Sequence, residues 1–104
     1  MEGKYEVARG AAAFYRDLFG KDNFFLEIQD QGLEMEHRIH PDLFRLEKEL
    51  GLPMVATNDS HYLCEDDAHA QDVMLCIQTG KSIQDTNRMK FQGTQFFVKN
   101  HDEM

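Results

Sequence analysis

Between Lys4 and Phe19 the apolar positions Val7, Ala11, Phe14, Tyr15 and Leu18 recur at helical spacing. They predict a first helix with that stripe on the core, helped by Ala11-Ala12-Ala13 and closed by Gly20. Met1-Glu2-Gly3 is expected to add little to the fold. Lys21-Asp22-Asn23 reads as a turn, and Phe24 to Ile28 as a strand with Phe24, Leu26 and Ile28 on one face and Phe25 and Glu27 on the other. Glu27 is then an acid within an apolar strand, costly unless partnered, and reads as a structural or ligand-orienting group rather than a metal ligand. Leu33 to Ile39 predicts a helical stretch broken by His40-Pro41. A second helix follows from about Asp42 to Leu50, with His40 as a weak cap, and it is stopped by Gly51 and Pro53. Leu43, Leu46 and Leu50 would face inward, and Arg45, Lys48 and Glu49 outward. Glu34, His37 and His40 share a helical spacing, but the proline interrupts it, and a solvated face is the better reading.

Met54-Val55-Ala56 is an apolar run suited to a strand buried on both faces of a parallel sheet. Phe24 to Ala56 is thus one strand–helix–strand crossover, expected to be right-handed. Parallel neighbours would bring the loop Gln29-Asp30-Gln31-Gly32 and the loop after Ala56 onto one rim. After Cys64-Glu65-Asp66-Asp67, whose acids suit a helix amino end, Ala70, Val73, Met74 and Ile77 continue at helical spacing to Gly80-Lys81. Ser82 to Thr94 is polar and irregular, Phe96-Phe97-Val98 leans to β, and Asn100 to Glu103 resembles a helix start.

The chemistry gathers after Ala56, in Thr57-Asn58-Asp59-Ser60-His61-Tyr62. A carboxylate and an imidazole one residue apart, where the chain leaves the carboxyl end of a strand, can reach a common point and suit zinc, manganese or iron better than calcium. Asn and Asp are also ordinary turn residues, so Asp59-x-His61 by spacing alone reads better as the approach to the next helix than as a metal site. His61, Cys64 and His69 are too irregularly spaced for a structural zinc set.

Composition narrows the partners. The chain has 104 residues and 41% hydrophobic content. It is one domain's worth of chain, yet short of the roughly 250 residues of a closed α/β barrel. Nineteen acids against eleven bases give a net charge of −8, which argues against gripping nucleic acid directly. Cys64 and Cys76 form no short pair, and neither a signal segment nor a membrane-length apolar run appears, so a reducing, cytoplasmic setting is expected. Without a secretory signal the formal sequon at Asn58 carries no weight.

Three blocks in order resemble the PHP (polymerase and histidinol phosphatase) domain of bacterial replicative polymerase alpha subunits. They are Leu18 to Gln29, Val55 to Tyr62 and Cys76-Ile77-Gln78-Thr79-Gly80-Lys81, and Asp102-Glu103-Met104 fits as well. The octet from Val55 resembles that domain's last metal-binding motif. The resemblance implies an α/β fold with parallel strands, a fragment of a distorted (β/α)7 barrel. Residues 1–104 would form the C-terminal portion of the domain, with the earlier metal motifs absent. It implies that Asp59 and His61 are metal-ligating and catalytic residues, with Zn, Mn or Mg ions bound by the complete domain. The family usually has His where Gln31 stands, so no ligand role is assigned there.

As the resemblance implies, the parent is a DNA-directed DNA polymerase of replication, with its polymerising site in other domains. Some PHP domains remove mismatched 3′ ends as 3′–5′ exonucleases. In others the ligands have decayed, and the domain is a scaffold for the polymerase and its proofreading exonuclease subunit. The implied partners are the rest of the alpha subunit, DNA through other domains, and that proofreading subunit. The isolated fragment is expected to be inactive. From its charge, the 104-residue chain should shift neither single- nor double-stranded DNA at physiological salt. A submicromolar, salt-sensitive mobility shift would refute this.

Overall fold

The computed structural model describes residues 4–20 and 22–104. Met1, Glu2, Gly3 and Lys21, and the expectations placed on them, lie outside the described residues. The fold is mixed α/β: α1 (Tyr5–Phe19), β1 (Leu26–Ile28), α2 (Glu34–Leu50), β2 (Met54–Ala56) and α3 (Ala68–Thr79), with a 3-10 turn at Glu65–Asp67 ahead of α3. Two compact units divide it. One joins the chain up to Gln29 with Glu34–Thr57; the other joins Asp30–Leu33 with Asn58–Met104.

The first unit is the strand–helix–strand crossover with α1 packed on α2. β1 and β2 pair in parallel, Leu26 beside Met54, Glu27 beside Val55 and Ile28 beside Ala56. The pairing is continued by Leu26 N–H to Pro53 O (2.9 Å) and Thr57 N–H to Ile28 O (3.1 Å). Its core is Ala12, Leu26, Leu46, Leu50 and Leu52, flanked by Tyr5, Ala13, Phe24 and Met54. Leu52, at 2% exposure, sits deepest. The inward leucines of α2 and its outward Arg45, Lys48 and Glu49 are as the periodicity predicts.

Three expectations are corrected here. The stripe Val7, Phe14, Tyr15 and Leu18 is exposed, and α1 instead packs through Tyr5, Ala12 and Ala13. Small alanine side chains let the two helices approach, whereas the bulkier aromatics gather at one end, where Tyr15 and Phe19 meet Phe24 with ring centroids 5.7 and 6.4 Å away. Second, α2 is one continuous helix with Pro41 inside it. His40 is no cap; its Nε2 lies 2.8 Å from Gln29 O. A proline in a helix interior costs about 3 kcal/mol, and burial of Leu46 and Leu50 on the core outweighs it. Third, Val55 is 40% exposed rather than covered on both faces, because the sheet has two strands and α2 layers only one side.

An ionic cluster closes the α1–α2 contact. The Glu49 carboxylate accepts from Arg45 Nε (2.7 Å), Arg9 Nε (2.9 Å) and Tyr5 OH (3.1 Å), and Arg45 stacks 4.0 Å over the Tyr5 ring. Its bond to Arg45 holds Glu49 below the usual carboxylate range, while partial desolvation pushes Tyr5 up. Arg16 Nη1 donates to Leu50 O (3.2 Å), and Gly51, at φ 63°, ends α2 in the left-handed region that only glycine enters without strain.

In the second unit, the 3-10 turn ahead of α3 is capped by the Asp67 carboxylate, which accepts from Cys64 N–H (3.0 Å). α3 ends at Gly80, left-handed at φ 65°. Its buried residues are Leu75 and Cys76, whereas Val73, Met74 and Ile77 are exposed, so the inward face is turned from the one the spacing suggested. Cys64 is exposed and Cys76 buried, both as free thiols. Asn100 to Glu103 forms one turn, with Asn100 Oδ1 accepting from Asp102 and Glu103 N–H. No described helix is long and apolar enough to cross a membrane.

Because α2 is unbroken, Pro41→Ala restores an interior donor. It should raise the chain's unfolding free energy in urea titration by about 2 kcal/mol, the interior penalty less the unfolded-state entropy regained. No gain would mean that the helix is interrupted at His40-Pro41 after all.

Candidate functional site

Parallel pairing in register sends both strands out at the same edge of the first unit. There Gln29 Nε2 donates to Thr57 Oγ1 (3.0 Å), and the Thr57 hydroxyl donates to the Glu27 carboxylate (2.5 Å). Glu27 is exposed and hydrogen-bonded, not buried in apolar surroundings, so its predicted burial cost does not arise.

In the second unit the loops after the two strands meet, as the parallel arrangement requires. Gln31, 2% exposed, donates through Nε2 to Asn58 Oδ1 (3.3 Å). Asn58 Oδ1 also receives Lys99 Nζ (3.4 Å), and Asn58 Nδ2 donates to Ser60 Oγ (2.9 Å) and Phe97 O (2.5 Å). A primary amide has two donors and an oxygen with two lone pairs, and all four are used here. The sequence marks Asn58 as a turn residue; nothing in it announces the bonds to Lys99 and Phe97, some forty positions away.

Asp59 and His61 follow this anchor and are brought together. Asp59 Oδ1 stands 3.6 Å from His61 Nδ1, with the two side chains 50% and 35% exposed. His61 Nδ1 is also 3.2 Å from Asp59 O. Two donors, each about 2.1 Å from a tetrahedral ion, are about 3.4 Å apart, so the oxygen–nitrogen separation fits a shared divalent ion. If Nδ1 instead carries the proton and donates to the carbonyl, Nε2 keeps the lone pair. Oxygen and imidazole donors suit a borderline divalent metal. No group of three or more His, Cys, Asp or Glu side chains that could hold a metal ion converges among the described residues.

The irregular stretch from Ser82 and the β-leaning Phe96-Phe97-Val98 build the wall of this site. Phe96 O accepts from His61 N–H (2.7 Å) and Tyr62 N–H (3.3 Å), and Val98 N–H donates to Tyr62 O (3.0 Å), making a parallel bridge between Tyr62 and Phe97. The His61 ring lies against Phe91 and Phe96, with centroids 4.5 and 5.8 Å away. A two-pronged pair ties this segment to α3. Arg88 Nη1 and Nη2 donate to Asp72 Oδ1 and Oδ2, the second at 2.8 Å, with Arg88 only 6% exposed. His69 is exposed, and Glu34 and His37 sit on an exposed stretch of α2 in the other unit, with Glu34 bound to Arg38 (2.6 Å).

Arg88's hydrogen bonds hold the Asp72 carboxyl below the usual carboxylate range, against partial desolvation, with Lys90 and His69 adding positive charge. A depressed folded pKa gives stability that is present above the unfolded value of about 3.9 and is lost as pH falls through the folded one. Unfolding free energy of the wild type should therefore exceed that of Asp72→Asn at pH 7. The two should converge on acidification below about pH 4, as followed by urea titration at each pH. Parallel curves would show that the pair does not act through its charge.

No family model matches the chain. Curated relatives do. The chain is 47% identical over 104 residues to the DNA polymerase III subunit alpha of Deinococcus radiodurans. It is 45% identical over 101 residues to that of Saccharopolyspora erythraea and 44% over 104 to that of Treponema pallidum. These matches cover 97% to 100% of the chain but only 8% to 9% of the relatives. The chain is thus similar, along almost its entire length, to one short segment of DNA polymerase III alpha subunits.

Proposed function

We propose that the chain is the C-terminal portion of the PHP domain of a DNA polymerase III alpha subunit, where Asp59 and His61 supply two donors to a divalent-metal site serving 3′–5′ excision. One observation carries this reading: a half-exposed carboxylate and imidazole at 3.6 Å, on a turn anchored by all four hydrogen bonds of Asn58. The similarity to alpha subunits along the chain supports the parent, and the parallel strand–helix–strand unit suits a piece of a larger α/β barrel.

When bound, a divalent ion such as Zn, Mn or Mg supplies the charge that acidifies an attacking water and offsets the phosphate. Asp59 contributes an anionic oxygen, and His61 a neutral ring nitrogen. Asn58 fixes the turn that keeps the two at a metal's bite. Further ligands would come from other parts of the parent, and with two donors the isolated chain is inactive. Template-directed synthesis belongs to other domains of that parent, a cytoplasmic protein in this reading, and those domains hold the DNA that a chain of net charge −8 does not.

A scaffold without catalysis, contacting the proofreading exonuclease, is the second reading. It is favoured by the lack of a three-donor cluster among the described residues. One experiment separates the two. In the full-length subunit, Asp59→Asn keeps the side chain's size and its turn chemistry but removes the anion. Excision of a mismatched 3′ end should fall by more than about 100-fold, since even outer partners of metal ligands are worth 10–100-fold, while extension of a matched end is unchanged. Equal loss of both on the same preparation means that Asp59 holds the fold, and the scaffold reading stands.

A further inference from the structure

We infer that Phe91 is a positioning residue for His61, fixing the rotamer that presents its ligating ring nitrogen; the inference rests on the metal-site reading above. The backbone of His61 is held independently, through its N–H to Phe96 O at 2.7 Å. That bond sets where the Cβ lies but leaves the side-chain torsions open, and an imidazole 35% exposed to water would populate several staggered positions. Its Nδ1 contact with Asp59 O at 3.2 Å and two rings restrict it. Phe96 meets the imidazole edge-on at 77° from 5.8 Å, and Phe91 lies closer, tilted 53° at 4.5 Å. Phe91 and Phe96 also contact one another at 4.7 Å, so the three rings form one cluster.

The two phenylalanines differ in what else they do. Phe96 is 4% exposed and belongs to the core, so truncating it would disturb the unit as a whole. Phe91 is half-buried and borders an open cleft of about 200 Å³ shared with Tyr62, His69 and Lys90. Its truncation widens existing solvent space instead of leaving a sealed cavity. Its own placement comes from the Arg88–Asp72 fork three residues earlier, which pins the segment to α3. α3 therefore fixes Arg88, the segment carries Phe91 to the imidazole, and the imidazole is held facing Asp59.

The test is metal binding, not turnover. In the full-length subunit, Zn2+ is titrated against a chromophoric chelator for the wild type, Phe91→Ala, Phe91→Leu, Phe91→Tyr and Asp59→Asn. Phe91→Ala should weaken the affected Zn2+ site about 10-fold, at the lower end of what outer partners of metal ligands contribute. Phe91→Tyr should bind as the wild type does. Phe91→Leu, which keeps bulk and guards against collapse of the segment, should lose a few-fold. Zn2+ binding unchanged in Phe91→Ala but weakened in Asp59→Asn overturns the role of Phe91 and leaves the metal site standing. Binding unchanged in Asp59→Asn removes the metal site, and this inference with it.

Discussion

The side-chain amide of Asn58 is the constraint on which the second unit depends. It binds together the loop after β1, the turn after β2 and the segment at Gln95–Lys99, through Gln31, Ser60, Phe97 and Lys99. An amide offers two N–H donors and an acceptor oxygen from one short side chain. An aspartate would face the Phe97 carbonyl with a second acceptor, and a leucine would remove the acceptor of the Gln31 Nε2 bond. The cost of leaving such groups unpaired exceeds the modest gain of each bond made, so the arrangement tolerates little variation.

On that anchor the site is assembled from weak parts. A parallel bridge at Tyr62–Phe97 fixes the backbone, an aromatic cluster confines the imidazole, and a part-buried Arg88–Asp72 pair secures the aromatic segment. Each is a separate interaction of ordinary strength; together they leave Asp59 and His61 half-exposed and pointed at one another.

The first unit has a different character. Its core is small and leucine-rich, and α2 layers one side of a two-stranded sheet. Phe14, Leu18, Phe19, Phe25 and Val55 remain exposed. A parallel strand pair is ordinarily covered on both faces, and so much exposed apolar surface is unusual for a small unit. The chain spans only 8% to 9% of the length of the relatives it matches.

The sequence alone determined the local elements. Leu43, Leu46 and Leu50 placed the core face of α2, the alternation from Phe24 to Ile28 placed β1, and the glycines at 20, 51 and 80 marked helix ends. It drew attention to Asp59 and His61 only through the resemblance of the octet from Val55 to a metal-binding motif, since by spacing alone the pair reads as turn residues. It did not determine which face of α1 or α3 turns inward, since several apolar faces compete and only the partner surface selects one. It misjudged Pro41, whose local penalty is overruled by burial of leucines on the same helix. It was silent on Asn58, Arg88, Phe91 and Phe96 as parts of one site. Their partners lie far along the chain, and the hydrogen bonds and ring contacts that join them leave no periodic trace. Only the tertiary structure brings those segments within bonding distance.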